Sequence, residues 1–113
     1  MSESTLNALA SLQRLAQGDP AVMSFVRPAI ESSFKESGLD PKTFMLVRIA
    51  ALATLDAAPA SWLMNIEASG EAGLDPETVL GTLIAVLPVI GTARVVSAAS
   101  HIMKAFELTV NVE

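Results

Sequence analysis

The sequence predicts an all-α fold: a compact bundle of about six helices that assembles with copies of itself. Three observations carry this expectation. Asp-Pro pairs recur at Asp19-Pro20, Asp40-Pro41 and Asp75-Pro76, and glycines fall just ahead of them at Gly18, Gly38 and Gly73. An aspartate at N-cap accepts a bond from an orphan N–H, a proline at N1 gives up no donor the helix needs, and glycine takes the left-handed conformation that ends a helix. Hydrophobic residues make up 51% of the 113 residues and charged ones only 17%, against about 25% charged in an ordinary domain. A chain of this length is one domain, 1–113, and still exposes much of its surface, so the apolar excess needs a second place to hide.

The elements follow from this punctuation. Thr5 to Gln17 carries Leu6, Leu9, Leu12 and Leu15, the seam of an amphipathic helix. Pro20 to Ser37 continues it with a kink or break near Pro28, since proline disrupts the hydrogen-bond ladder. Pro41 to Leu55 is nearly all apolar apart from Arg48 and reads as a central buried helix. Pro59 to Ser69 is short, Pro76 to Leu87 is apolar again, Thr92 to Leu108 closes the fold, and Thr109 to Glu113 is tail. The Ile, Val and Leu content of Leu83 to Ile90 also suits a strand, but length and the preceding Asp-Pro start favour a helix. The strings Gly38-Leu39-Asp40-Pro41-Lys42-Thr43 and Gly73-Leu74-Asp75-Pro76-Glu77-Thr78 are nearly the same. They read either as two similar helix junctions or as a helix-pair repeat.

Charge and composition exclude several classes. The longest uncharged run, Thr78 to Ala93, holds Pro88 and Gly91 and falls short of the roughly 20 apolar residues of a spanning helix. Met1-Ser2-Glu3-Ser4 lacks the basic flank and apolar stretch of a signal peptide, so a cytoplasmic location is expected. The net charge is −5 and the seven Lys and Arg are scattered singly, so no basic stripe exists for nucleic acid. With no cysteine and one histidine, thiolate chemistry, disulfides and a Cys- or His-rich metal site are excluded within one chain. No metal and no cofactor is expected. The expected partners are copies of the same subunit, since extensive apolar surface usually marks an interface.

From Leu39 to Phe106 the chain resembles the carboxymuconolactone decarboxylase and alkylhydroperoxidase D-like family. The matching pieces are Leu39-Asp40-Pro41-Lys42-Thr43 leading into an Ala/Leu-rich helix, a short helix ending at Gly73, and Gly73-Leu74-Asp75-Pro76-Glu77 leading into an apolar helix. Gly91 and a last helix reaching Phe106 complete the order. The resemblance implies N-terminal helices over residues 1–38 and a family-like core over residues 39–108. It also implies trimers or hexamers with pockets between helices near subunit contacts. Family chemistry uses either a Cys-x-x-Cys pair with a histidine four residues on, or that histidine alone in a lactone-acid decarboxylase. The resemblance sets the cysteines at Ala58 and Ser61 and the histidine at Asn65, so all three positions are changed. Serine forms no disulfide, and asparagine cannot shuttle a proton near neutral pH.

The candidate site residues are therefore few. Arg48 stands alone in an apolar helix; it either pairs with Glu67 or Glu71 or clamps a ligand carboxylate in a bidentate fork. Glu67 and Glu71 lie four apart and form either an acid–base pair or a solvated face. Trp62 and Asn65 sit where the family keeps its active centre, as pocket wall and polar anchor or simply as core. His101 reads as a packed or surface histidine, and the methionines read as packing. These residues suggest a non-redox family member that binds a small carboxylate or lactone in an inter-helix pocket of a homo-oligomer. The alternatives are a cysteine-independent lyase or isomerase with Glu67 and Glu71 as acid and base and Arg48 as clamp, or an accessory subunit. Catalysis is left open by the sequence.

Overall fold

The computed structural model describes residues 1–21 and 23–112, except the side chains of residues 108–112. Val22 and Glu113 lie outside the described residues. Among these there are six α-helices, one 3-10 turn and no strand. The chain divides into two compact units, Met1–Gly38 and Leu39–Glu113.

The N-terminal unit holds α1, Glu3–Ala16, a 3-10 turn at Met23–Phe25, and α2, Arg27–Ser37. Helix α1 starts two residues earlier than its leucines suggest, because the Ser2 hydroxyl caps it by accepting the Thr5 N–H (3.2 Å). Three-residue spacing turns each leucine about 60° short of a full circle relative to the last, so Leu6, Leu9, Leu12 and Leu15 wind around the helix rather than stack. All four are exposed, and α1 buries no residue. The helix expected from Pro20 to Ser37 with a kink or break near Pro28 shows the break, and only the part from Arg27 onward is α-helical. The Asp19 carboxylate accepts the Ala21 N–H (2.9 Å), a local turn that competes with a helix start, and α2 begins only at Arg27. Pro28 therefore lies in the first turn of α2, where its missing donor costs nothing, and it starts a helix instead of kinking one.

The second unit holds α3 (Pro41–Leu55), α4 (Pro59–Glu71), α5 (Pro76–Ile90) and α6 (Thr92–Val112). The two Gly-Leu-Asp-Pro-x-Thr strings build the same junction twice. At Asp40 the carboxylate accepts the Thr43 N–H and hydroxyl, both at 2.9 Å; at Asp75 it accepts the same groups of Thr78, both at 2.8 Å. Gly38 and Gly73 hold φ of 67° and 85° just ahead of these caps, where a β-carbon would be strained. Helix α5 outruns its expected end at Leu87. Pro88 lies in the last turn, where the lost N–H bond is the only one at stake, and Gly91 N–H still reaches the Leu87 carbonyl (3.0 Å). Helix α6 continues through Val112, where the sequence suggested a tail.

The core of this unit lies among all four helices. Met45, Ile49 and Ala53 on α3 recur every fourth residue and are buried together with Phe44. The helices packed against α3 bury Trp62 and Ile66 of α4, Val79 and Leu83 of α5, and Ala98, Ile102 and Ala105 of α6. The wholly buried α3 expected from its composition is corrected here: Val47 and Leu55 are exposed, because only one side of the helix carries the buried stripe. Helix α5 likewise buries Val79 and Leu83 but exposes Leu80 and Ile84. The α3–α4 connection turns at Asp56, whose φ is +52°. Its carboxylate accepts the Ser97 hydroxyl (2.6 Å) and ties that turn to α6.

Candidate functional site

Helices α3 and α4 bring two of the residues named above into direct contact. The Arg48 Nε–H donates to Asn65 Oδ1 at 3.0 Å across the two helices. The sequence offered Glu67 or Glu71 as the partner of Arg48, and this is corrected: the acceptor is the asparagine. Helical phase explains it. Asn65 shares the buried stripe of α4 with Trp62, Ile66 and Ser69, whereas Glu67 and Glu71 are exposed on α4. Helix α4 does reach Glu71, so the two glutamates stand one turn apart on its surface.

Asn65 is fixed from both ends. Its Nδ2–H donates to the Ser61 carbonyl (2.8 Å), which orients the amide so that Oδ1 faces the arginine. Its own backbone carbonyl accepts the buried Ser69 hydroxyl (2.7 Å). Arg48 is half-buried, and its guanidinium carbon stands 5.6 Å from the centroid of the Phe44 ring one turn earlier on α3. With Nε held by Asn65 and the plane packed toward Phe44, the two terminal nitrogens have no acceptor among the described residues. A guanidinium donates through five N–H groups, so the pair to Asn65 leaves four of them available in a fixed orientation.

Trp62 is wholly buried, one turn before Asn65 on the same face of α4, and its Nε1 has no hydrogen-bond partner among the described residues. The half-buried His101 of α6 also keeps a buried Nδ1 without a partner among the described residues. Sequence reasoning missed the supports of the site: Phe44 beneath Arg48, the Ser61 carbonyl and the Ser69 hydroxyl. The four-residue interval from Phe44 to Arg48 was a visible signal for the first. Nothing in the sequence signals the Asp56–Ser97 link, which spans 41 residues.

Elsewhere the electrostatics belong to the helix starts. Backbone N–H and hydroxyl bonds from Thr43 hold the Asp40 carboxyl below the ordinary aspartate value. The same bonds from Thr78, helped by the charge of Lys42, do so for Asp75. Among the described residues no group of three or more His, Cys, Asp or Glu could hold a metal ion. No helix among them is long and apolar enough to cross a membrane.

The second unit is all-helical, with a polar pair set between α3 and α4. The model of the carboxymuconolactone decarboxylase family matches residues 20–105, and the chain belongs to that family. The match begins at Pro20 and so takes in the 3-10 turn and α2, which the resemblance drawn from Leu39 had left outside. No curated protein and no solved structure matches the chain.

Proposed function

We propose that this chain is a non-redox member of its family that binds a small organic carboxylate, or the related lactone, beside Arg48 in a cytoplasmic homo-oligomer. The observation that carries this reading is the Arg48–Asn65 bond: a half-buried guanidinium held in place by a neutral acceptor, with no anionic partner among the described residues. A half-buried cation without a protein anion favours an anionic guest, and a guanidinium fork matches a carboxylate in two parallel bonds. Phe44, whose ring centroid stands 5.6 Å from the guanidinium carbon, supplies apolar surface on the other side of the cation.

The oligomer is supported by the surfaces left open. Past Glu77, α5 carries no charge, and Leu80 and Ile84 are exposed on it at 57% and 61%. A helix apolar all round belongs in an interior, and an assembly of subunits supplies one. The resemblance to the family favours a trimer or hexamer. Two measurements test the reading together. Sedimentation velocity should give a mass above that of the 11.8 kDa chain. Saturation-transfer NMR against short-chain carboxylates and lactones should show contact that disappears in Arg48→Gln. A monomer that binds none of them contradicts the proposal.

A further inference from the structure

Helix α5 turns one side to the core and leaves the other open. Val79 and Leu83 are buried, while Glu77, Gly81, Ile84 and Pro88 are all exposed. These four recur at intervals of four, three and four residues, which sets them in one stripe along the helix, opposite the buried pair. Leu80 and Leu87 widen the stripe on one flank and Ala85 on the other. Between Glu77 and Arg94 the chain carries no charge.

Gly81 has no reason to be glycine within one chain. It lies in the interior of α5, and a β-carbon there would meet nothing within 4 Å. Glycine in a helix interior is less favourable than alanine, so its presence calls for a close approach from outside. A second helix crossing at Gly81 and Ala85 makes such an approach, because the side chains at the contact set the distance between packed helices.

The two ends of the stripe carry opposite charges. Glu77 lies in the first turn of α5. Arg94, early in α6, folds back so that its Nη1–H donates to the carbonyl of Ile90, the last residue of α5 (3.5 Å). Laid antiparallel on a copy of itself, the stripe sets each charge against its opposite; laid parallel, it sets like against like. The register agrees. Glu77 stands seven residues before Ile84, and Thr92 seven residues after Ala85. An axis between Ile84 and Ala85 therefore faces Glu77 to the end of the other α5, where the Arg94 guanidinium lies.

We propose that α5 packs antiparallel on the α5 of a second copy, about a two-fold axis at Ile84 and Ala85, with Glu77 of each copy beside Arg94 of the other. This rests on the homo-oligomer proposed above and names its interface. The apolar stripe supplies the affinity, and the two exposed ion pairs, each weak in water, set the direction. A two-fold contact gives an even number of subunits, so of the trimer and the hexamer only the hexamer contains it.

Sedimentation velocity of the full chain over a concentration series reads the assembly, and circular dichroism shows that each variant is folded. Gly81→Leu should keep or raise the helical signal, since leucine suits a helix better and its side chain enters open space, yet weaken assembly roughly tenfold or more. Glu77→Arg and Arg94→Glu should each weaken assembly several-fold by setting like charges together, an effect that fades in roughly 1 M salt. The double variant Glu77→Arg, Arg94→Glu should recover most of the wild-type affinity. It keeps the less favourable first turn of the single variant, so its recovery reads the contact alone. A double variant no tighter than the single ones overturns the antiparallel contact, and this comparison decides even if Gly81→Leu fails to fold. A wild-type assembly with an odd number of subunits, or one that Gly81→Leu and both single reversals leave unchanged, overturns the pairing of α5 and leaves the homo-oligomer standing. A monomeric wild-type protein overturns both.

Discussion

Replacing Asn65 by alanine removes the acceptor that holds Arg48 Nε and the donor that fixes the amide to the Ser61 carbonyl. A hydrogen bond to a charged group contributes about 1.5–3 kcal/mol, and the neutral bond to Ser61 about 1 kcal/mol. Arg48 is half-buried, so water replaces part of what it loses. The net cost of Asn65→Ala should be about 2 kcal/mol, which in a domain of this size lowers the thermal midpoint by roughly 10 °C. Urea unfolding followed by the fluorescence of the single tryptophan measures it, with the slope checked for two-state behaviour. Asn65→Asp keeps an acceptor for Arg48 and should lose less than half as much. A double-mutant cycle with Arg48→Ala should return a coupling above about 1 kcal/mol, as expected for residues in contact. A loss below about 0.5 kcal/mol for Asn65→Ala, or a coupling near zero, would falsify the view that this bond orients the arginine.

Trp62→Ala should cost about 3–5 kcal/mol, the range for emptying an aromatic site in a core, and equilibrium unfolding by circular dichroism reads it. The Asp40 and Asp75 carboxyls titrate below their ordinary value when folded, so their stabilisation is present above that value and is lost as pH falls through the folded one. Thermal midpoints recorded from pH 6 to pH 2 should therefore fall less steeply for the double variant Asp40→Ala, Asp75→Ala than for the wild-type protein. A variant midpoint already lower by some degrees at pH 6 is the companion expectation, and parallel curves would count against these caps. Ile84→Lys places a charge on the exposed apolar face of α5 and should reduce the sedimenting mass to that of one subunit while the helical circular dichroism is retained. An unchanged mass would place the interface elsewhere.

The fold was legible wherever a local rule decided it. Asp-Pro after glycine fixed both ends of the loop into α3 and into α5, because capping involves only neighbours within four residues. The same grammar misled at Asp19-Pro20, where the aspartate turned back on Ala21 and a helix did not follow. The site was legible in its members but not in its pairing. Arg48 and Asn65 drew attention as an isolated charge and a changed family position, but their bond depends on which faces of α3 and α4 meet. Charge alone favoured Glu67 and Glu71, and packing overruled it by turning both glutamates to the surface. The Asp56–Ser97 link and the buried His101 nitrogen arise only when α6 returns to the α3–α4 turn, a long-range event no window of sequence contains.

Binding of butyrate to the assembled protein, titrated calorimetrically beside Arg48→Gln at equal mass and equal helical content, bears most directly on the proposed function. Saturable binding to the wild-type protein that weakens at least tenfold in Arg48→Gln is the expected result, since one fork of charge-assisted bonds is removed. Equal affinity in the two proteins would mean that the guanidinium beside Asn65 binds no carboxylate and serves the packing of α3 against α4 alone.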